Sequence, residues 1–194
     1  MVVSSILNTI SYMSCIQDGV ILGADIRATE GPIVSTFSKS KVDNLGGGDS
    51  KKFEISDDNL VFKVIRYGPS YASKLTPGVQ GCDLIDGQWG NVGSVICWTF
   101  TNDGKRCTTR EIITAIDETK KLIEYKVIGG ELMDAFKSVL ITFQSTNNSA
   151  TWTIEYEKIN ECIPNPTSFL EFLVKAIKDI DLNHKLIPRL SANN

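Results

Sequence analysis

A long amphipathic stretch near the C-terminus constrains the possible fold of this chain more than any other feature. Asn165 is suited to cap a helix, Pro166 to occupy its first turn and Pro188 to end it. The spacing predicts one helix over 165–187, roughly 30 Å long. Its apolar stripe comprises Phe169, Phe172, Leu173, Ala176, Ile177 and Ile180, widened by Leu170 and Val174. Burying so broad a stripe requires a partner surface of similar length, such as a curved sheet.

Six segments upstream of this helix combine β-branched and aromatic residues, with turn residues between them. The predicted strands are Val79–Ile85, Ser94–Thr101, Cys107–Ile116, Leu122–Ile128, Ala135–Gln144 and Thr151–Lys158. Hairpin turns such as Asn-Asp-Gly at 102–104 favour an antiparallel sheet. Alternation predicts an inward face of Ile96, Trp98, Phe100, Ile123, Tyr125, Val127, Val139, Ile141, Phe143, Trp152, Ile154 and Tyr156. Strands followed by one long helix predict an α+β domain with the sheet curled around the helix.

The first 50 residues differ from the rest of the chain. Three consecutive glycines at 46–48 predict a flexible linker that ends near residue 50. Beyond it, the pattern predicts a short strand over Lys51–Ile55, a short helix from Asp58 and a second over Ser70–Leu75. We therefore divide the chain into an atypical extension over 1–50 and a domain over 51–190.

Composition excludes several classes of partner. A net charge of −3 gives no broad cationic surface for nucleic acid or an anionic membrane. No apolar run approaches the roughly 18 to 20 residues that a membrane span needs, and the N-terminus lacks a charged region typical of a signal peptide. Five cysteines without a CxxC pair, and a single histidine, predict reduced thiols and neither a metal site nor a cofactor. We expect a cytoplasmic protein.

Several motifs in this region together resemble one plant family. They are GQWGNVGS at Gly87–Ser94, AIDETK at Ala115–Lys120, YKVIGGE at Tyr125–Glu131, IEYEKINECIPNP at Ile154–Pro166 and FLEF at Phe169–Phe172. In this order they resemble the major latex protein branch of the birch-pollen-allergen superfamily, which includes the pathogenesis-related class 10 proteins. The resemblance covers about 52–186. It implies a helix-grip fold: a seven-stranded antiparallel sheet and two short helices around a long C-terminal helix, enclosing an apolar cavity.

The resemblance also carries expectations about function and one departure. It implies an intracellular protein that binds a small hydrophobic ligand and is linked to defence or stress responses, and we expect a monomer or a weak dimer. Members of the family open with a longer first strand. Here Asp49–Ile55 is expected to form only a stub, which would weaken closure of the sheet.

A second resemblance concerns the extension. The run QDGVILGADIRATEGPIV at Gln17–Val34 is similar to the start of a plant proteasome subunit of the β2 type. In that family an aspartate lies where Asp25 stands, a lysine near Lys41, and the nucleophilic threonine at the spacing of Thr9. Because a threonine protease needs a complete scaffold, we interpret this segment as an inactive remnant.

The inward aromatic residues are either an ordinary packed core or the walls of a ligand pocket, and the sequence leaves both open. The candidate ligand-binding residues are the six residues of the helix stripe together with Ile96, Trp98, Phe100, Tyr125, Val139, Ile141, Phe143, Trp152, Ile154 and Tyr156. Gly87, Gly90 and Gly93 form a glycine-rich loop without phosphate-loop spacing. It is a turn that needs positive φ, and in the resembled family it bounds the cavity mouth.

Three functional classes remain: a carrier of apolar compounds, a cavity enzyme acting by isomerisation or condensation, and a module that binds another protein. The inward candidates for chemistry are Tyr125, Tyr156 and Lys137, which shares strand parity with Val139. They do not form a set of nucleophile, base and orienting group. We therefore favour the carrier and assign no catalytic residue.

Overall fold

The protein, described by a computed structural model over residues 45–184, is built on one seven-stranded antiparallel sheet. Its strands are β1 (Gly46–Glu54), β2 (Val79–Asp86), β3 (Val95–Asn102), β4 (Lys105–Asp117), β5 (Leu122–Gly130), β6 (Phe136–Thr146) and β7 (Ser149–Lys158). Their spatial order is β1-β7-β6-β5-β4-β3-β2, so only β1 lies beside a strand distant in sequence. The six predicted strands from Val79 onward are confirmed, with bounds that differ by up to two residues.

The first strand is longer than the sequence predicts. β1 pairs with β7 from Gly46 opposite Glu157 to Glu54 opposite Ser149. Backbone hydrogen bonds to β7 hold the glycines extended, which their low strand propensity does not indicate. The predicted linker and stub strand are therefore wrong for 46–50. A Cβ at Gly47 would lie 2.6 Å from the Tyr156 ring, so the absence of a side chain lets this aromatic residue pack beneath β1.

The division into an extension over 1–50 and a domain over 51–190 stays a prediction. Residues 1–44, which include the proteasome-like segment over 17–34, lie outside the described residues.

Two short helices precede the sheet's hairpins, as predicted. They are α1 (Asp58–Tyr67) and α2 (Ala72–Leu75), separated by a 3-10 turn at Pro69–Tyr71. The Asp57 carboxylate caps α1 by accepting from the backbone N–H of Leu60 at 2.9 Å. An ion pair of 2.7 Å between Asp58 and Lys121 ties the start of α1 to the turn between β4 and β5.

The C-terminal helix, α3 (Thr167–Asn183), lies against the inward face of the sheet. It begins one residue later than predicted: Pro166 is the N-cap, and its carbonyl accepts the first helical bond from Leu170 at 3.0 Å. The predicted capping by Asn165 is wrong, because Pro166 takes the N-cap position and no side chain caps the helix. The Asn165 carbonyl accepts from the Thr167 N–H in a tight backbone turn. The predicted end at 187 lies outside the described residues.

The predicted helix-grip fold is confirmed. Eleven of the twelve predicted inward sheet residues are buried, and Trp98 is half-buried. Within α3 the most buried side chains are Phe169, Leu170, Val174, Ala176, Ile177 and Ile180. Sheet and helix therefore share one core, as two amphipathic layers must.

The cysteines depart from expectation at one position. Cys82, Cys97 and Cys107 are free thiols, whereas Cys162 is disulfide-bonded. The expectation of reduced thiols is wrong there because pairing depends on proximity in space, which spacing along the chain does not show. Within the described part of the chain, no group of three histidine, cysteine or acidic side chains could hold a metal. No helix of residues 45–184 has both the length and the apolar character to cross a membrane.

Candidate functional site

A cavity of about 50 Å³ lies between the inward face of the sheet and α3. Its walls are Ile65, Ala72, Val79, Trp98, Phe100, Thr109, Glu111, Tyr125, Ile141, Trp152, Phe169, Phe172, Leu173, Ala176, Ile177 and Ile180. A space of this size holds a few water molecules, whereas pockets for metabolites measure about 300–1,000 Å³. Side chains of the wall must therefore move for an organic compound to enter.

Three phenylalanines fill one end of this space. The Phe172 ring stacks on Phe100 at 4.8 Å between centroids, and Phe169 lies 5.6 Å from Phe100. Phe172 also packs against Gly78, where a Cβ would lie 2.9 Å from its ring. Phe172, Trp98 and Leu173 are only half-buried, so they form the side of the cavity that meets solvent.

Eleven of the sixteen candidate ligand-binding residues line the cavity, including all six of the helix stripe. The five that do not are Ile96, Val139, Phe143, Ile154 and Tyr156, which are buried in packed core. Tyr156 packs edge-on against Phe136 at 5.3 Å, and its hydroxyl donates to the Asp49 carboxylate at 3.2 Å. Inward orientation was predictable for these residues, but contact with the cavity was not.

The acidic residue of the cavity wall, Glu111 on β4, was not among the predicted site residues. It is 4% exposed, and its carboxylate accepts from Thr109 Oγ1 at 2.9 Å and from the Trp98 side chain. Thr109, Glu111 and Ile113 are spaced by two residues and all are buried. That spacing was visible in the sequence, but polar residues at two of the three positions obscured the inward face of β4.

Burial sets the protonation of this polar cluster. It raises the pKa of Glu111 to about 7, although the hydrogen bonds from Thr109 and Trp98 act in the opposite direction. Burial and the neighbouring Glu111 carboxyl raise the pKa of Tyr125 well above its usual value. Tyr125 is therefore a neutral phenol, and Glu111 exchanges a proton near neutral pH.

Lys137 lies outside the cavity, which contradicts its predicted inward position. In the pairing of β6 with β7, Phe136 faces Lys158 and Ser138 faces Glu157, so Lys137 is the extra residue of a bulge. The bulge changes the parity of β6 and turns Lys137 outward, where its ammonium pairs with Glu157 at 2.8 Å.

The glycine-rich loop packs against α1 and does not line the cavity. Gly87, Gly90 and Gly93 have φ of 84°, 74° and 89°, which confirms that this turn needs residues tolerant of positive φ. Arg66 Nε donates to the carbonyl of Gly90 at 3.2 Å and fixes the loop. A place for this loop at the cavity mouth, which the family resemblance implies, stays a prediction.

Comparison with known proteins decides the family. Residues 57–185 match the model of the pathogenesis-related protein Bet v 1 family, which covers most of the described chain. The chain belongs to this family. MLP-like protein 28 of Arabidopsis thaliana is 37% identical over 166 residues, which are 81% of this chain and 49% of that protein. The chain thus spans about half the length of this Bet v 1 family relative.

Solved structures place the chain beside the major latex proteins within the Bet v 1 family. Ginseng major latex-like protein 151 from Panax ginseng is 37% identical with a TM-score of 0.70, over 72% of this chain and 98% of that chain. Norcoclaurine synthase from Thalictrum flavum, in complex with dopamine and hydroxybenzaldehyde, covers 84% of this chain and 98% of its own at a TM-score of 0.57. At 17% identity, the enzyme shows a shared fold alone.

Proposed function

We propose that this Bet v 1 family protein binds a small hydrophobic compound in the cavity between its sheet and α3. The observation that carries the proposal is a mostly apolar space between the sheet and α3, in a domain whose sheet and helix otherwise form a packed core. A protein selected only for stability would fill this space, because each unfilled volume weakens the packing of its walls.

Entry of a ligand requires displacement of the half-buried wall. Phe172 and Leu173 are adjacent on α3, so these two side chains can move toward solvent without unpairing a strand or breaking the hydrogen bond from Trp98 to Glu111. Rotamer changes of this kind are common when ligands and partners bind. The cavity then extends into the volume that the Phe172 ring occupies.

Retention of a ligand through purification tests the proposal. Protein isolated from its source tissue is examined by native mass spectrometry, and an apolar fluorescent probe is titrated into the delipidated protein. We expect a retained organic compound, and displacement of the probe when that compound is added back. Absence of both a retained compound and probe binding would refute the proposal.

Glu111 supports a second candidate function, a cavity enzyme. A carboxyl with a pKa of about 7 beside a neutral Tyr125 is suited to proton transfer near neutral pH. Of the three residues predicted as candidates for chemistry, Tyr156 and Lys137 do not line the cavity and could not contact a substrate bound there. Turnover of a panel of alkaloid precursors that Glu111→Gln abolishes and Tyr156→Phe leaves unchanged would favour the enzyme over the carrier.

We further propose the cellular setting that accompanies such a carrier. The relatives are plant proteins of the major latex group, and we propose a cytoplasmic carrier linked to defence or stress responses. We propose a monomer or weak dimer, because the cavity walls come from one chain. Fractionation of source tissue and sedimentation of the purified protein check these two statements.

A further inference from the structure

Trp152, one of the residues that line the cavity, has a polar side-chain atom without a partner. Among the buried side-chain nitrogen and oxygen atoms of residues 45–184, the indole Nε1 of Trp152 is the one without a hydrogen bond. Trp152 is 5% exposed and lines the cavity from β7. An unsatisfied buried donor destabilises a fold by about 1–3 kcal/mol, so its presence calls for an explanation.

The side chains around Trp152 cannot accept this hydrogen bond. On the same face of the sheet, Phe143 lies directly opposite with its ring 4.9 Å away, and Ala150 and Ile154 flank Trp152 along β7. All three are apolar. On the neighbouring strand β1, Lys51 lies opposite Trp152. The Lys51 ammonium can only donate hydrogen bonds, and it forms an ion pair with Glu171 at 3.7 Å.

A lone water molecule is a poor solution for this donor. A buried water needs two to four polar partners, and the immediate neighbours of Trp152 offer none beyond its own N–H. The other polar side chains of the wall are Trp98, Thr109, Glu111 and Tyr125, and among them the Glu111 carboxylate already accepts from Thr109 and Trp98. Trp152 Nε1 is therefore a fully buried donor that neither its neighbours nor a lone water satisfies.

We propose that Trp152 Nε1–H is the polar anchor for the bound compound, which carries a carbonyl, ether or hydroxyl oxygen as hydrogen-bond acceptor. This inference rests on the proposed binding function and narrows its ligand class. A pure hydrocarbon fills the space but leaves the donor unmet, whereas an oxygen-bearing compound of the same shape satisfies it. The anchor thus orients the ligand as well as selecting it.

Two probes of matched shape test the anchor. Acetophenone and ethylbenzene differ by a carbonyl in place of a methylene, and each is titrated into the wild type and Trp152→Phe. For each protein we take the affinity for acetophenone divided by the affinity for ethylbenzene. Dividing the wild-type ratio by the Trp152→Phe ratio gives a double ratio in which the different solubility of the two compounds in water cancels. We expect this double ratio to favour the ketone about tenfold, the value of one satisfied buried hydrogen bond.

Indole N–H signals in ¹H–¹⁵N spectra give a second readout that packing alone does not produce. The chain has three tryptophans, and the signal that disappears in Trp152→Phe belongs to Trp152. Acetophenone should move that signal downfield, and ethylbenzene should not. Trp89→Phe is the matched control, because Trp89 packs against the core without lining the cavity and its loss should leave the double ratio unchanged.

The outcomes separate the anchor from the proposed function. A double ratio near one, or a Trp152 signal that does not respond to a bound ketone, overturns the anchor while binding stands. If neither compound binds the wild type, both are retested with Phe172→Ala, in which the wall is open. Failure of both compounds there, together with the absence of a retained compound and of probe binding, overturns the binding function and the anchor together.

Discussion

Truncation of Phe172 should loosen the fold slightly and tighten binding. Complete burial of a phenylalanine makes its replacement by alanine cost about 3–5 kcal/mol, and the half-buried Phe172 should cost about 2 kcal/mol. At this chain length, that loss lowers Tm by about 6 °C. In the wild type a ligand must push the ring off Phe100, which costs about 1.4 kcal/mol of lost apolar burial.

Phe172→Ala removes that cost in advance, so an apolar probe should bind about tenfold more tightly. Fluorescence titration measures the affinity, and thermal unfolding followed by circular dichroism measures Tm. Leu182→Ala is the matched control, because Leu182 lies on the same helix, is 75% exposed and does not line the cavity. Unchanged or weaker binding by a cooperatively folded Phe172→Ala would refute Phe172 as the displaceable wall.

Two further predictions concern stability. The folded pKa of Glu111, about 7, lies above its ordinary value of 4.5, so the wild type loses up to about 3 kcal/mol as pH rises from 4.5 to 7. Glu111→Gln should remove this contribution in urea titrations across that range, and a parallel pH dependence in both proteins would contradict it. Gly130→Ala should destabilise by about 3 kcal/mol or more, because φ is 97° and a Cβ would overlap the Thr108 carbonyl oxygen. Gly104→Ala should destabilise the fold less, by about 1–2 kcal/mol, because φ is 73° there but nothing lies within reach of the added Cβ.

Local periodicity explains where sequence reasoning succeeded. The two-residue alternation of Trp152, Ile154 and Tyr156 places all three inside, and all three are buried. The stripe of α3 likewise follows from its helical spacing, since all six stripe residues line the cavity. Both patterns act within one element, where the chain itself sets the direction of each side chain.

Interactions between elements explain the misses. Lys137 turns outward because one extra residue in β6 changes the parity of the strand, and a bulge has no reliable mark in composition. The glycines at 46–48 form part of β1 because their backbone groups hydrogen-bond to the backbone of β7. Glu111 was not predicted as a site residue because a polar side chain is expected to face solvent. It is buried because Thr109, Trp98 and residues of α3 surround it at the cavity.

Alternation along the strands and the breadth of the helix stripe were enough to fix an α+β fold that grips a C-terminal helix, because each pattern reflects one element facing one common core. Packing in three dimensions selected which inward residues border empty space. Trp152 and Phe143 are paired neighbours on one face, yet Trp152 borders the cavity and Phe143 does not. The space left over is a small difference between large volumes contributed by distant parts of the chain, and no local pattern encodes it.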